Sequence, residues 1–253
     1  SGLLTFIIGV IDDRYNLGYL LKFILFGIVI FLVIFFSKEF LLQDLYFDTF
    51  SRSFNLNIYA SYFVTILCIL LLINATNLSD GINGLCLGII LVWLLYLNVN
   101  FNLYLNFIPM LIIILFSFIY NYKGDFFLGN SGSHFLGTFI SLLTIYQYNL
   151  SLVESNEKNI TSVETIFILF MLPGIDMLRL FILRIFNKKN PFSSDLSHLH
   201  HYLIKKFSLK VSLFIYFVSM LTPILLNQLT NIDNYLIITL FTFYYISLLY
   251  LIT

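Results

Sequence analysis

The chain has 253 residues, of which 60% are hydrophobic and only 10% are charged, and its formal net charge at pH 7 is zero. A mean hydropathy of +0.95 excludes an ordinary soluble globule. The few basic residues give no support to a nucleic-acid-binding role. Two cysteines, both within apolar runs, provide neither a disulfide framework nor a metal cluster.

Continuously apolar runs recur along the chain, with polar breaks between them. After an apolar stretch at residues 3–11 we predict eight spans, at residues 20–36, 58–73, 85–99, 107–122, 135–148, 163–175, 212–226 and 235–252. The runs do not alternate with polar residues, so helices are favoured over a β-barrel. The predicted fold is an all-α integral membrane protein, a polytopic helical bundle with about eight to nine transmembrane helices.

The start of the chain is unusual for a membrane protein. It begins at Ser1, without an initiator Met or a signal-peptide pattern, and the first apolar stretch has already ended at about residue 11. We therefore expect residues 1–253 to form a single polytopic domain that lacks its N-terminal spans.

Basic residues are divided unequally between the two sides of the membrane. Eight spans place alternate connections on opposite sides, and ten of the 13 Lys and Arg residues then share one side. By the positive-inside rule that side is cytoplasmic. The polar motifs described below all lie there, which indicates a site that acts on a cytoplasmic solute.

The first polar motif is the carboxylate pair Asp12 and Asp13, at the end of the first apolar stretch. Adjacent carboxylates repel each other, which raises one pKa unless a cation compensates. One interpretation is a Mg²⁺ site, because Mg²⁺ prefers carboxylates, water and phosphates. The other is a solvated helix end with Arg14 as the ion-pair partner, and the dipeptide alone favours this second interpretation.

The second motif covers residues 74–85 and repeats a polar side chain every third residue, at Asn74, Asn77, Asp80 and Asn83. This spacing predicts that the four lie on roughly one helical face, where a helix meets the cytoplasm. Gly81 and Gly84 allow a turn. Amide and carboxylate oxygens on one face suit Mg²⁺ and the oxygens of sugars or phosphates.

A third motif, at residues 126–137, is rich in glycine and serine. Its backbone N–H groups, with the hydroxyls of Ser131 and Ser133, predict a phosphate site at the N-terminus of the next helix. His134 alone indicates a hydrogen-bonded interfacial residue rather than a ligand.

The last motif leads from a span into a basic loop. Asp176 and Arg179, three residues apart, predict an ion pair that orients the loop. The loop contains three of the four histidines, His198, His200 and His201, after Asp195. Taken alone, the cluster fits a solvated loop, a metal site or an anion-binding loop. The neighbouring lysines add a positive potential that would draw a polyanionic substrate.

In this order, the four motifs resemble those of the polyprenyl-phosphate N-acetylhexosamine-1-phosphate transferases. The similarity is to the WecA-like branch of a family that also contains the phospho-MurNAc-pentapeptide transferases, and it covers nearly the whole chain. It implies that a polyprenyl phosphate, such as undecaprenyl phosphate, attacks the β-phosphorus of a UDP-N-acetylhexosamine. UMP would leave, and the product would start a cell-surface glycan. The resemblance also implies a multi-pass protein of the bacterial inner membrane with its active site facing the cytoplasm.

The resemblance further implies a role for each motif residue. Asp12 or Asp13 would handle the lipid phosphate, and together with Asp80 they are the expected catalytic residues. Mg²⁺, with Mn²⁺ as the alternative, would be held by Asn77, Asp80 and Asn130. The expected substrate-binding residues are Asn74, Asn83, Ser131, Ser133, Asp195, His198, His200 and His201. The oligomeric state stays open, a homodimer included.

Asn130 departs from the family pattern, because the family usually has a metal-binding Asp there. An amide oxygen ligates Mg²⁺ more weakly and adds no charge, and Asp125 could compensate only by folding back. The departure supports a second hypothesis, a family member that has lost catalysis and acts as a membrane binding or scaffold protein. A transporter is disfavoured, since its charges would lie near the bilayer midplane and these lie at one boundary.

Overall fold

A computed structural model describes residues 2–101, 103–154, 160–188, 190 and 196–253. This part of the chain contains ten α-helices and a two-stranded sheet. In chain order the elements are α1 (Gly2–Tyr15), α2 (Tyr19–Phe36), β1 (Asp44–Phe47), β2 (Arg52–Asn55), α3 (Ile58–Ser79), α4 (Leu85–Asn100), α5 (Tyr104–Lys123), α6 (Gly129–Glu154), α7 (Val163–Phe186), α8 (Leu199–Lys206), α9 (Leu209–Leu229) and α10 (Asn234–Ile252). The predicted all-α fold is confirmed.

Six of the described helices, α2, α3, α6, α7, α9 and α10, are long and apolar enough to cross a membrane. Helix α4 and the Phe107–Lys123 part of α5 are shorter apolar helices. Each predicted span corresponds to one of these eight elements, so the protein is a multi-span membrane protein. Helices α3, α6 and α7 continue past the predicted apolar cores, because the polar residues at their ends remain helical.

The chain divides into two compact units. The first comprises Ser1–Leu45 and Phe54–Thr161, and the second comprises Tyr46–Ser53 and Ser162–Thr253. In the first unit α6 packs against α1, α3 and α4. Its most apolar segment is 56% buried, against 17% for that of α2, so α6 lies in the interior of this unit and α2 lies at its periphery.

Two glycines allow α1 and α3 to approach α6 closely. A Cβ added at Gly9 on α1 would lie 2.4 Å from the Cα of Ser131, and one added at Gly137 on α6 would lie 2.9 Å from the Cα of Ile73 on α3. Small residues permit such contacts between membrane helices, whose association depends on close packing. The backbones of α1 and α3 therefore lie directly against α6.

In the second unit α7, α9 and α10 pack against one another, and α8 packs against α9 and α10. The sequence predicted a loop where α8 forms, and that prediction is wrong for this segment. Leu199 and Leu203, one helical turn apart, are completely buried, whereas Lys205 and Lys206 are exposed. An apolar stripe and a basic face explain why the segment is helical when packed.

The connection between α2 and α3 also contains structure that the sequence did not predict. Strands β1 and β2 form a short hairpin, and its tip is held by Glu164 at the start of α7. The buried Glu164 carboxylate accepts the backbone N–H groups of Asp48 at 3.2 Å and Thr49 at 3.4 Å. Strands of four residues are too short to give a clear alternating pattern.

Candidate active site

The N-terminus of α6 faces two carboxylates from other helices. Asp13, near the end of α1, accepts the backbone N–H groups of Asn130 and Ser131, each at 3.0 Å. Asp80, the C-cap of α3, accepts a hydrogen bond from the backbone of Gly129. Such N–H groups lack partners within their own helix and form the positive end of its dipole. The carboxylate of Asp13 thus occupies N–H groups for which the sequence predicted a phosphate.

Gly129 is required by this arrangement. Its φ angle is +69°, a backbone conformation that favours glycine. A Cβ added there would lie 3.1 Å from Oδ2 of Asp13. Any side chain at this position would therefore strain the backbone and press on the carboxylate.

Among the described residues, no positive charge acts on the pKa of the Asp80 carboxyl group. Its pKa is raised to about 7, first by burial and also by the negative charge of Asp13, against the lowering effect of the Gly129 hydrogen bond. A cation bound beside two such carboxylates would favour their ionised forms. The two carboxylates could therefore hold a cation.

Asn130 also belongs to a cluster of amides and hydroxyls. Nδ2 of Asn77 donates to Oδ1 of Asn130 at 2.7 Å and to Oγ of Ser133 at 3.1 Å. Ser133 is completely buried, and its Oγ donates to the backbone carbonyl of Asn130 at 3.3 Å. An aspartate at position 130 would accept the same hydrogen bond from Asn77 and would add a negative charge.

Asp12 and Asp13 have different environments. Asp12 is 1% exposed, its Oδ1 accepts the backbone N–H of Leu17 at 2.9 Å, and its Oδ2 pairs with Nζ of Lys22 at 3.0 Å. The interpretation of a solvated helix end with Arg14 as the partner is therefore wrong. The chain reverses between α1 and α2, which brings Lys22 over the buried carboxylate.

The prediction of one helical face for the second motif holds only within α3. That helix ends at Ser79, with Asp80 as its cap. Asn83 is exposed in the following turn, where its Nδ2 lies 3.5 Å from the position of a Cβ at Gly124. Asn74 lies half-buried within α3.

Two residues around the glycine-rich motif lie apart from these contacts. Asp125 is exposed in the turn after α5. His134 is buried with its ring edge-on to Phe26, at 4.7 Å between centroids. Among the described residues its Nδ1 has no hydrogen-bond partner, so the predicted interfacial hydrogen bond is not made at that atom.

In the second unit the carboxylate of Asp176 organises the start of α8. It accepts hydrogen bonds from Tyr245 Oη at 2.6 Å and from the backbone N–H of Leu199 at 3.1 Å, and it lies 2.8 Å from Nδ1 of His198. It also pairs with Arg179 at 3.1 Å, which confirms the predicted ion pair. Asp176 thus joins the span to the histidine segment.

The histidines themselves are mostly buried. His198 and His200 are each 3% exposed, and their rings stack at 5.5 Å between centroids. The ring of the half-buried His201 lies 4.2 Å from that of His200. The pKa of His200 is lowered to about 3, first by burial and then by the positive charges that His201 and His198 would carry. The solvated-loop interpretation is therefore wrong for His198 and His200.

The metal interpretation of the cluster gains no support either. In the described part of the chain, no group of three or more His, Cys, Asp or Glu residues is placed to hold a metal ion. Asp195, a predicted substrate-binding residue, lies outside the described residues.

Two partners of these sites were not predicted from the sequence. Lys22 offered a signal, because it is the only charged residue in the predicted span at residues 20–36. Tyr245 offered none, since it is one of 17 tyrosines and lies within an apolar span.

Known proteins share this sequence pattern. The sequence profile described as "Glycosyl transferase family 4" matches residues 1–148. The "Probable undecaprenyl-phosphate N-acetylglucosaminyl 1-phosphate transferase" of Bacillus subtilis is 29% identical over 243 residues, which cover 88% of this chain and 63% of the relative. The "Undecaprenyl-phosphate alpha-N-acetylglucosaminyl 1-phosphate transferase" of Thermotoga maritima is 28% identical over 205 residues, covering 79% of this chain and 59% of the relative.

A third relative is named for a different transfer reaction. The "Phospho-N-acetylmuramoyl-pentapeptide-transferase" of Petrotoga mobilis is 39% identical over 75 residues, which cover 29% of this chain and 24% of the relative. The chain thus spans 63% and 59% of the length of the first two relatives and matches the third over a shorter stretch.

Proposed function

The chain belongs to glycosyl transferase family 4, and from that premise we propose that it transfers an N-acetylhexosamine-1-phosphate from a UDP-sugar to undecaprenyl phosphate or another polyprenyl phosphate. UMP leaves, and the lipid diphosphate sugar starts a cell-surface glycan. The names of the Bacillus and Thermotoga relatives specify undecaprenyl phosphate and N-acetylglucosaminyl 1-phosphate for those proteins, and they supply the substrate class proposed here.

The observation that carries the proposal is the meeting of Asp13 and Asp80 at the N-terminus of α6. Three helices contribute to it, because α1 provides Asp13, the C-cap of α3 provides Asp80, and α6 provides three backbone N–H groups. Transfer between two phosphate-bearing substrates depends on neutralising and positioning their negative charge. A cluster of carboxylates and amides at a membrane boundary can serve this purpose by binding a cation.

Mg²⁺ fits the oxygen donors present at this cluster. The carboxylates of Asp13 and Asp80 supply charge, and the amide oxygens of Asn77 and Asn130 supply neutral donors of the kind that hard cations accept. The raised pKa of Asp80 supports a bound cation. When bound, the ion would neutralise the diphosphate of the donor substrate. Mn²⁺ is the alternative ion.

The two adjacent carboxylates are assigned different roles. Asp12 is buried and forms an ion pair with Lys22, so we assign it to positioning Lys22 and the turn after α1. Asp13 is exposed, so we assign it to the lipid phosphate. In the second unit, the buried imidazoles of His198 and His200, with His201, are assigned to phosphate groups because imidazole N–H groups donate to phosphate oxygens. The excess of Lys and Arg on one side of the predicted topology supports a site on the cytoplasmic face of a bacterial inner membrane.

The test uses membranes that contain the protein, incubated with undecaprenyl phosphate, Mg²⁺ and labelled UDP-GlcNAc or UDP-GalNAc. We expect Mg²⁺-dependent release of UMP and entry of label into the lipid phase. Asp80→Ala should lower the rate by about 100-fold or more. The matched control is Asp125→Ala, a carboxylate in an exposed turn, which should keep the parental rate.

Failure to transfer any UDP-amino sugar would contradict the proposal. If Asn130→Asp then gained transfer, the parent chain would be a member of the family that has lost catalysis. An equal loss of transfer rate in the Asp80 and Asp125 variants would show that the carboxylates at the start of α6 have no special role in transfer.

A further inference from the structure

Asp176 is a buried carboxylate to which the proposed transfer reaction assigns no role. It is 4% exposed and lies within α7, a candidate membrane span. A buried carboxylate is costly unless it is paired and hydrogen-bonded. The groups around Asp176 meet that requirement, and they come from α7, the start of α8, and α10.

These groups also brace one another. Nε of Arg179 donates to Oη of Tyr245 at 2.9 Å, and Nη2 of Arg179 donates to the backbone carbonyl of Ser197, immediately before His198. The backbone N–H of Leu199, immediately after His198, donates to Asp176. The chain is thus held on both sides of His198, and the imidazole ring has little freedom to turn.

The contact with Asp176 defines which ring nitrogen of His198 is protonated. A carboxylate can only accept, so Nδ1 of His198, at 2.8 Å from Oδ2, must carry the hydrogen. The opposite nitrogen, Nε2, is buried and has no hydrogen-bond partner among the described residues. Buried polar atoms are normally satisfied, so an unsatisfied one calls for a ligand.

The neighbouring His200 also has an unsatisfied ring nitrogen. Its ring stacks on that of His198, and its Nε2 is likewise buried and without a partner in the described part of the chain. His198 differs from His200 in having a described carboxylate, that of Asp176, behind its ring. In metal and catalytic sites, a carboxylate behind an imidazole fixes the tautomer and orientation of the ring, so that the far nitrogen meets the ligand.

We propose that Asp176 is the positioning residue for His198, holding its Nδ1–H so that Nε2 faces a phosphate group of the nucleotide substrate or product. When the phosphate binds, Nε2 takes up a proton and donates a hydrogen bond to a phosphate oxygen, because a bare imidazole nitrogen could only accept. The inference rests on the proposed function for the identity of the ligand, but the contact between Asp176 and His198 stands independently of it. Asp176 acts through His198 and touches no substrate itself.

The first test reads the tautomer directly. Protein labelled with ¹⁵N-histidine is purified in detergent, and long-range ¹H–¹⁵N spectra distinguish protonated from unprotonated ring nitrogens. The His198 signals are identified by their loss in His198→Gln. We expect Nδ1 of His198 to be protonated in the parent, and the pattern to change in Asp176→Asn, whose amide can donate as well as accept.

The matched control is Tyr244→Phe, next to Tyr245 on α10. It removes the contact of Tyr244 Oη with Ser219 Oγ at 2.8 Å and leaves Asp176 with all its partners. Tyr244→Phe should keep the His198 spectrum of the parent. Thermal unfolding of both variants shows whether each is folded under the conditions of the spectra.

The second test separates this inference from the transferase proposal. Adding UMP should shift the Nε2 signal of His198 in the parent and in Tyr244→Phe, but not in Asp176→Asn. In the transfer assay, Asp176→Asn should lower kcat/KM by about 10- to 100-fold, with Tyr244→Phe within twofold of the parent. A UMP-dependent shift without any transfer would support the inference while contradicting the proposed function. The inference is overturned if the His198 spectrum is the same in a folded Asp176→Asn variant, or if UMP shifts Nε2 equally in both.

Discussion

Gly9→Ala should damage the site at α6 although it adds only one methyl group on another helix. The new Cβ would lie 2.4 Å from the Cα of Ser131, 2.8 Å from its N and 2.9 Å from the carbonyl oxygen of Asn130. All three are backbone atoms, which cannot swing aside as a side chain can. Carbon atoms in contact prefer about 3.5–4.0 Å, so α1 must move away from α6 by about 1 Å or more.

That displacement acts directly on Asp13. Gly9 and Asp13 are four residues apart on α1 and therefore lie on the same face of the helix. The bonds from Asp13 to the N–H groups of Asn130 and Ser131 are 3.0 Å long, and moving α1 by about 1 Å would lengthen them beyond hydrogen-bonding distance. We expect a loss of about 1–3 kcal/mol in stability, as for other overpacked contacts, and a fall in transfer rate of about tenfold or more.

The assay compares thermal unfolding in detergent and the rate of sugar-phosphate transfer for Gly9→Ala and Gly27→Ala. Gly27 lies within α2, and a Cβ added there would meet nothing within 4 Å. Its replacement should leave transfer unchanged and should favour the helix slightly. If Gly9→Ala matched Gly27→Ala in both measurements, the close approach of α1 to α6 would not hold Asp13 in place.

Three further predictions concern charge. The pKa of Asp80 is raised from 3.8 to about 7, so the stability associated with its protonated form is lost as pH rises through 7. Asp80→Asn should abolish transfer, yet it should raise Tm at pH 8 in EDTA by about 2–4 °C because the uncharged amide replaces a buried carboxylate. A lower Tm would contradict this prediction. The pKa of His200 is lowered from 6.5 to about 3, so the stability from its neutral ring is present above pH 6.5 and lost as pH falls towards 3. Thermal melts should show that His200→Gln loses less stability than the parent between pH 7 and 5. Equal losses would refute the burial of a neutral His200 ring. Asn130→Asp keeps the 2.7 Å hydrogen bond from Asn77 and adds a negative charge. A Mg²⁺ titration of the transfer rate should therefore show a half-saturating concentration about tenfold lower than in the parent. An unchanged value would show that residue 130 does not bind the cation.

The spans could be predicted because each depends on a local property, a continuous apolar run. Their ends could not, because they depend on contacts with other helices. The start of α6 contains Asn130 and Ser133, which resemble loop residues in isolation. They are helical here with their polar groups engaged by Asn77 of α3 and by the carboxylate of Asp13.

The candidate site residues were identifiable by chemical type, but their partners depended on the fold. Local spacing predicts Arg14, two residues away, as the ion-pair partner of Asp12, whereas the chain reversal after α1 brings Lys22 to it. The ion pair of Asp176 with Arg179 followed from helical spacing. The contact of Asp176 with Tyr245 joins residues 69 positions apart, and no local pattern indicates it.

If the protein transfers a sugar phosphate, the β-phosphorus of the donor stays with the sugar, and a phosphorus label can follow it. Membranes containing the protein are given undecaprenyl phosphate, Mg²⁺ and a UDP-N-acetylhexosamine labelled with ³²P at the β-phosphorus and with ³H in the sugar. We expect both labels to enter the lipid in equal amounts and unlabelled UMP to be released. Tritium entering the lipid without ³²P, together with release of labelled UDP, would show transfer of the sugar alone and would contradict the account.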